Sequence, residues 1–150
     1  MTAEQRLAEL GIELPPVPTP AASYVNCVRT GNLLFVSGSV PRLADGTIPK
    51  GKVGADVSAE DATVHARWAG LNILAIVRHE LGDLDHVVRV VKLLGMINAT
   101  PDFTAQSMVI NGCSDLFVEI FGAGHARSAV GMGSLPFGIT VEIEAIFEVR

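Results

Sequence analysis

The sequence predicts an α+β fold in which one mixed β-sheet carries two helices on one of its faces. Three observations lead to this prediction. β-prone and helix-prone segments follow one another in the order β-β-α-β-α-β-β. Each helical segment is long enough to connect two parallel strands by a right-handed crossover. The last strand alternates apolar and polar residues, so one of its faces packs on the helices and the other stays open.

The size and composition of the chain fit one compact domain. Its 150 residues lie within the usual range for a single hydrophobic core. Apolar residues make up 49% and charged residues 18%, which is too apolar for a disordered chain. We expect one domain over residues 1–150, with a helix and proline-rich connector in residues 1–21 and the core in residues 22–150.

Charge and patterning argue against several classes of protein. The net charge of −5, with scattered basic residues, gives little support to nucleic-acid binding. No apolar stretch reaches the roughly 18–20 residues of a bilayer span, and the N-terminus is polar, so we expect no membrane contact and a cytoplasmic location. Cys27 and Cys113 are far apart and the four histidines lack tight spacing, which predicts two free, buried thiols, no metal and no cofactor.

The first third of the chain predicts a helix, a hairpin and a loop. Helical periodicity in residues 3–10 stops at Gly11, and the four prolines of residues 15–20 predict an extended connector. Two β-prone runs flank Thr30-Gly31-Asn32, as in an antiparallel hairpin. The turn-rich residues 39–57 predict a long irregular segment.

Two longer helices are predicted on either side of a buried strand. Ser58 begins a capping box with Asp61, and an apolar stripe starts at Val64 and runs to Leu81-Gly82. The valine-rich segment His86–Ile97 predicts a strand that is buried on at least one face. The next helix is predicted to start at Thr100-Pro101-Asp102, with Thr100 as N-cap, and to end at glycines 122 and 124.

The C-terminal strand assigns its side chains to two faces. We expect Ile139, Val141, Ile143, Ala145, Phe147 and Val149 on the buried face, and Thr140, Glu142, Glu144, Glu148 and Arg150 on the other. A two-layer fold leaves that second face uncovered, and the apolar Ile146 lies on it. The small residues Ala129, Gly131 and Gly133 allow another backbone to come close, so we expect sheet faces to meet in an oligomer.

A few residues are candidates for chemistry, and each also has a simpler interpretation. The guanidinium of Arg127 suits a planar carboxylate, but a surface or interface ion pair, for example with Glu142 or Glu144, also accounts for it. The two glutamates project to the same side, where like charges raise one pKa, but a solvated strand face also accounts for them. Tyr24 fits loop packing and Asn111 fits a solvent hydrogen bond on the polar side of the second long helix. Cys27 has no basic neighbour that lowers its pKa.

Three segments carry a family resemblance. They are Tyr24-Val25-Asn26 with the following GNLLFVSGSVP, Ile110-Asn111-Gly112, and HARSAVGMGSLPFGITVEIEAI. Over residues 22–150 the chain resembles the RidA/YjgF family of enamine and imine deaminases, formerly described as endoribonuclease L-PSP or translation inhibitors. The longer central segments and the N-terminal helix indicate a divergent, longer subgroup.

The resemblance implies a chorismate-mutase-like α+β fold, assembled as a homotrimer with a ligand cleft between subunits. It implies that Arg127 binds the substrate carboxylate and that Glu142 is associated with the attacking water. The substrate-binding residues implied are Tyr24, the strand-end turn Ser37-Gly38, Asn111 and Ala129. Two positions depart from the family pattern, because Ala129 stands where a cysteine is frequent and Ser39 where a glutamine is frequent.

The activity implied is hydrolysis of 2-imino or 2-enamino acids to 2-oxo acids and ammonia. A trimer that binds a 2-oxo acid or another metabolite without turnover is an open alternative, favoured by the changes at Ser39 and Ala129. Endoribonuclease activity is a remote alternative. The negative charge and the scarcity of aromatic residues for base stacking argue against it.

Overall fold

A five-stranded sheet and two long helices form two layers in the computed structural model, which describes residues 1–150. The elements are α1 (Ala3–Glu9), β1 (Cys27–Thr30), β2 (Leu33–Ser39), α2 (Ala59–Leu81), β3 (Val87–Asn98), α3 (Gln106–Phe121), β4 (Ala126–Met132) and β5 (Val141–Val149). The order after α1 is the predicted one. No helix is long and apolar enough to cross a membrane.

The sheet is mixed, with the strand order β1-β2-β5-β3-β4. β5 pairs antiparallel with both β2 and β3, and β3 pairs parallel with β4. β2 and β3 therefore run in the same direction on either side of β5, so α2 is the crossover between them. α3 is the crossover from β3 to β4. The predicted α+β architecture of one mixed sheet with two crossover helices is confirmed.

β5, the central strand, forms the sheet side of the hydrophobic core. Its six predicted apolar residues, Ile139 through Val149 in alternation, are all at least 98% buried. Glu144 is exposed on the open face, and Glu142 and Ile146 are half-buried there. The assignment of Thr140 to that face was wrong. Thr140 precedes the strand, is fully buried, and its hydroxyl pairs with His65 Nδ1 at 2.9 Å.

α2 begins and ends where the sequence predicts. The hydroxyl of Ser58 accepts a hydrogen bond from the backbone N–H of Asp61 at 3.1 Å, and Gly82 follows the last turn with φ 90°. The first turns of α2 bury a face other than the predicted one. Val64 is 54% exposed, whereas Ala62 and Ala66 are buried. The face of α2 that meets α3 has little room for larger side chains, since a Cβ atom on Gly70 would lie 3.0 Å from Cys113 Sγ of α3.

α3 begins later than predicted. Thr100-Pro101-Asp102 forms a turn rather than a helix start, and the helix begins at Gln106 without a side-chain cap. The reason is tertiary, since the N–H of Thr100 donates to the carbonyl of Val53 at 3.0 Å. That bond joins residues 40–57, which are irregular as predicted, to the end of β3. This hydrogen bond between distant segments forms instead of the helix N-cap that was predicted at Thr100.

The two long helices touch at a glycine. A Cβ atom on Gly112 of α3 would overlap the backbone carbonyl oxygen of Thr63 in α2. The backbone cannot move aside without separating the helices that cover β5. Gly112 is therefore required by close packing rather than by its backbone angle.

Replacement of Gly112 by alanine is expected to lower the free energy of unfolding by about 3 kcal/mol, as overpacking at a rigid contact does. Urea unfolding measures this directly. Gly124→Ala is the matched control, because no atom lies within 4 Å of the Cβ it adds. Equal stabilities of the two variants would contradict the close contact.

Candidate functional site

A β-bulge in β2 displays two of the residues implied by the family resemblance. Val36 pairs with Ala145 and Ser39 with Ile143, so three steps along β2 match two along β5. Ser37 and Gly38 form the bulge, and bulges are frequent beside active sites because they redirect side chains. The expectation of a strand-end turn was wrong in detail, since both residues lie inside β2.

Residues 18–26 run alongside the bulge and fix its outer side. The hydroxyl of Ser37 donates to the carbonyl of Val25 at 2.6 Å, and the N–H of Ser37 donates to the carbonyl of Asn26 at 2.9 Å. The side-chain amide of Asn26 donates to the carbonyl of Pro18 at 2.7 Å. Tyr24, which is exposed, therefore belongs to a segment that hydrogen bonds hold beside Ser37.

The carboxylate of Glu142 lies against Gly38. A Cβ atom at position 38 would be 2.7 Å from Glu142 Oε2, so a side chain there would displace the carboxylate. Burial of the carboxyl, and secondly the charge of Glu144, raise the pKa of Glu142 above its ordinary value. A carboxyl that exchanges a proton nearer to neutral pH is suited to general acid–base catalysis.

A cavity of about 180 Å³ opens beside this group. Tyr24, Ser37 and Gly38 line one side. The other lining residues include the apolar side chains of Val40, Ile48, Ile76, Phe137 and Ile139 and the polar side chains of Arg42, Lys50 and Asn72. Glu142 is not itself in the lining and reaches the cavity through its contact with Gly38. We call Tyr24, Ser37, Gly38 and Glu142 the cavity group.

Arg127 lies in β4, at the edge of the sheet, and its side chain folds onto α3. Nη1 donates to Ser114 Oγ at 3.0 Å, and Nη2 donates to the carbonyl of Ser107 at 3.2 Å. It makes no ion pair with Glu142 or Glu144 of its own protomer, so an ion pair within one copy is wrong, and an ion pair across an interface stays a prediction. The serine contacts orient the guanidinium while the side chain stays half-buried.

A histidine completes this second cluster. His125 Nε2 lies 3.0 Å from Ser114 Oγ, and burial together with the charge of Arg127 lowers the pKa of His125. A neutral imidazole can accept the Ser114 proton while the serine oxygen accepts from Arg127. We call Arg127, Ser114, His125 and Ala129 the arginine group. The sequence assigned no role to Ser114 or His125. His125 begins the HARSAV segment, but its contact with Ser114 joins β4 to α3 and exists only in the fold.

One protomer keeps the two groups apart. Leu93 of β3 pairs with Arg127, whereas Met96, three residues further, pairs with Glu142. An odd number of steps along a strand changes the face, so the two side chains lie on opposite faces of the sheet. Asn111 is exposed on α3. It joins neither group in the protomer.

The small residues of β4 do not line the open face. Ala129 pairs with Gly95, whose missing side chain makes room for Ile110 of α3, so both lie on the helix-covered face. Gly131 is near Gln106 at the start of α3. The expectation that Ala129 and Gly131 admit a second backbone on the open face was therefore wrong, because strand alternation turns them towards α3. Gly133 follows β4 and no atom lies within 4 Å of an added Cβ there, so its part of the expectation stays a prediction.

The thiols have no reactive environment. Burial, with a smaller contribution from Glu80, raises the pKa of Cys27 to about 11, and burial raises the pKa of Cys113 as well. Both stay protonated at neutral pH, so neither is a nucleophile. Cys27 is half-buried rather than buried, because β1 is an edge strand. No three His, Cys, Asp or Glu side chains come together as metal ligands.

The raised pKa of Glu142 predicts a pH-dependent gain in stability for Glu142→Gln. Above the unfolded pKa the ionised carboxylate is disfavoured in the folded state, so the wild type loses stability that the variant keeps. The stability difference is expected near neutral pH and absent below about pH 4, where both side chains are uncharged. Thermal unfolding at the two pH values tests this. Glu9→Gln, at an exposed position, is expected to show no such gain.

The hydrogen bonds of Ser114 predict a second stability effect. Ser114→Ala leaves one guanidinium N–H and the imidazole without a partner, so we expect a loss of about 1–2 kcal/mol. Ser107→Ala is the matched control, because Arg127 binds the Ser107 carbonyl and not its hydroxyl. Equal urea midpoints for the two variants would contradict the buried cluster.

Comparison with known proteins identifies the family. Residues 4–138 match the sequence profile of the family described as "YjgF/chorismate_mutase-like, putative endoribonuclease". The chain is 43% identical to protein TCP17 of Trypanosoma cruzi over 147 residues, 96% of this chain and 92% of the relative. It is 32% identical to the 2-iminobutanoate/2-iminopropanoate deaminase of Escherichia coli K12, over 86% of this chain and 89% of the enzyme.

Solved structures share the fold. The Agrobacterium tumefaciens protein Atu1372, described as having unknown function, superimposes with a TM-score of 0.88 at 45% identity, over 99% of this chain and 94% of that one. E. coli TdcF with bound serine superimposes with a TM-score of 0.67 at 28% identity, over 93% and 97%. With this chorismate-mutase-like α+β fold and a profile match over most of its length, the chain belongs to the RidA/YjgF family.

Proposed function

We propose that this protein hydrolyses 2-imino or 2-enamino acids to 2-oxo acids and ammonia. The observation that carries the proposal is the Glu142 carboxyl, which has a raised pKa and lies against Gly38 beside a cavity lined by Tyr24. The E. coli relative that is named for this reaction supports the choice of substrate class. TdcF, which was solved with serine, supports binding of a small amino-acid-like molecule.

We propose further that the complete site forms between copies of the chain, as a homotrimer. Arg127 lies at the β4 edge and Glu142 on the opposite face, so one copy cannot apply both to one substrate. The open face carries Val28 and Phe35 as exposed apolar side chains. A neighbouring copy that covers this face buries them and brings its own arginine group towards the cavity group.

The chemistry follows from the two groups. Arg127 binds the substrate carboxylate through its guanidinium fork, which leaves the imine carbon exposed to water. Glu142 takes a proton as the water oxygen bonds to that carbon, and then returns this proton to the nitrogen. The carbon–nitrogen bond then breaks, the remaining hydroxyl loses its proton, and ammonia leaves. Imine and water together supply every atom of the 2-oxo acid and ammonia.

A cytoplasmic location is part of the proposal. Both cysteines are free, as is usual for proteins of a reducing compartment. The substrate is a small 2-imino or 2-oxo acid, and with a net charge of −5 we expect no nucleic-acid partner.

A non-catalytic binding function is the second candidate. Ala129 and Ser39 depart from the family pattern, and the similar protein Atu1372 is described as having unknown function. This candidate predicts that 2-oxo acids raise the thermal unfolding temperature while no imine is hydrolysed. The deaminase predicts both effects.

The first test is ammonia release from imines that an amino-acid oxidase generates in place. We expect acceleration by the wild type and a loss of about 100-fold in kcat/KM for Arg127→Ala, since a charge-assisted bond to a carboxylate contributes about 1.5–3 kcal/mol. Arg89→Ala is the control, because Arg89 pairs with Glu148 on the surface. RNA cleavage that depends on Arg127, or a folded oligomer without imine turnover, would overturn the proposal.

The pH dependence tests the role of Glu142. As a general base it acts when ionised, so the rate is expected to rise with pH through its raised pKa. Glu144→Gln removes the like charge that contributes to the shift, and we expect the acidic limb of kcat/KM to move to lower pH. Glu148→Gln serves as control on the same strand. An unmoved limb would show that a different group titrates.

A further inference from the structure

Phe137 has a backbone conformation that disfavours its side chain. It is the only non-glycine residue with positive φ, at 58°. In this region the Cβ atom crowds the following carbonyl, which is why glycine usually occupies it. Strained residues of this kind concentrate at functional sites, where the surrounding structure holds them.

Hydrogen bonds on both sides of Phe137 maintain this conformation. The N–H of Gly138 donates to the carbonyl of Leu135 at 3.0 Å, and the N–H of Ile139 donates to the carbonyl of Pro136 at 3.2 Å. The carbonyl of Gly138 accepts from the N–H of Gly51 at 2.9 Å, which connects the turn to residues 40–57. The backbone is thus fixed without any contribution from the phenyl ring.

The ring does not stabilise its own protomer. Phe137 is 75% exposed, more than any other large apolar side chain. Instead it lines the cavity described above, together with Tyr24, Ile48 and Ile76. The sequence offers a glycine at the next position, yet a phenylalanine occupies the strained one. A ligand that enters the cavity therefore meets this ring.

We propose that Phe137 is a specificity-determining residue, which selects 2-imino acids with branched apolar side chains over the smallest one. This inference rests on the proposed function and names the substrate class within it. The carboxylate and imine groups require Arg127 and Glu142, so the side chain of the substrate is the part left to face Phe137 and Ile48. Each methylene that moves from water to such a wall changes kcat/KM by about 10-fold or more.

The test compares 2-iminopropanoate with 4-methyl-2-iminopentanoate. For Phe137→Gly we expect kcat/KM on the branched substrate to fall about 10-fold, and on 2-iminopropanoate to change less than about 2-fold. Phe137→Leu keeps an apolar wall and is expected to retain most of the preference. Val64→Ala is the matched control, because Val64 is exposed on α2 and outside the cavity lining. Equal losses on both substrates would overturn the inference.

A stability measurement separates recognition from folding. Glycine accepts positive φ, and the ring makes no core contact, so Phe137→Gly is expected to unfold at the same or a higher temperature than the wild type. Its sedimentation coefficient is expected to stay that of the wild type. A smaller oligomer would overturn the inference, because the ring would then serve a subunit contact.

Failure of the proposed function gives a different result from failure of this inference. If the wild type hydrolyses no imine, calorimetric binding of pyruvate and of 4-methyl-2-oxopentanoate replaces the rates. Tighter binding of the branched acid, lost in Phe137→Gly, supports the inference without turnover. Binding that ignores side-chain size, or no binding of either acid, overturns it.

Discussion

The strand β5 lies between β2 and β3, and burial of its alternate residues under α2 and α3 fixes most of what surrounds it. Because side chains alternate along a strand, burial of Val141, Ile143 and Ala145 places Glu142 and Glu144 together on the other face. A shift of one residue in register would place the carboxylates of Glu142, Glu144 and Glu148 in the core. The hydrophobic contact between β5 and the helices therefore also positions the carboxyl of the proposed catalytic site.

The neighbouring strand β2 helps to set the surroundings of the Glu142 carboxyl. The bulge at Ser37-Gly38 brings a glycine against the carboxylate and turns the strand towards the cavity. Partial burial and a like charge then shift the pKa in the same direction. The arginine group is built by different means, through hydrogen bonds from Arg127 to Ser114 and from Ser114 to His125 within one edge of the sheet.

The separation of the two groups within one protomer connects catalysis to assembly. The site that we propose requires a second copy, because no rearrangement of side chains moves Arg127 to the face of Glu142. Association then does more than bury apolar surface, since it completes the substrate site. Phe137 fits this arrangement as the part of the cavity wall that the protomer holds in a strained conformation and leaves exposed.

Local patterns were sufficient for the elements and for most of the candidate residues. The alternation of the last strand, the hairpin turn at Gly31 and the cap at Ser58 depend on neighbours in sequence, so the sequence determined them. The start of α3 did not follow its local signal, because Thr100 pairs with Val53 across the fold. The partners of Arg127 and the small residues that α2 presents to α3 depend in the same way on distant segments.

The sequence by itself determined the mixed sheet with two crossover helices, its open face, and the residue types through which the family resemblance is recognised. Only the tertiary structure decided that Arg127 and Glu142 lie on opposite faces, that Ser37-Gly38 is a bulge, and that Phe137 is displayed at positive φ. The physical reason is that periodicity and capping are properties of a few consecutive residues. The pairing register, the close contact of helices and the hydrogen bonds between distant side chains exist only once the layers have packed.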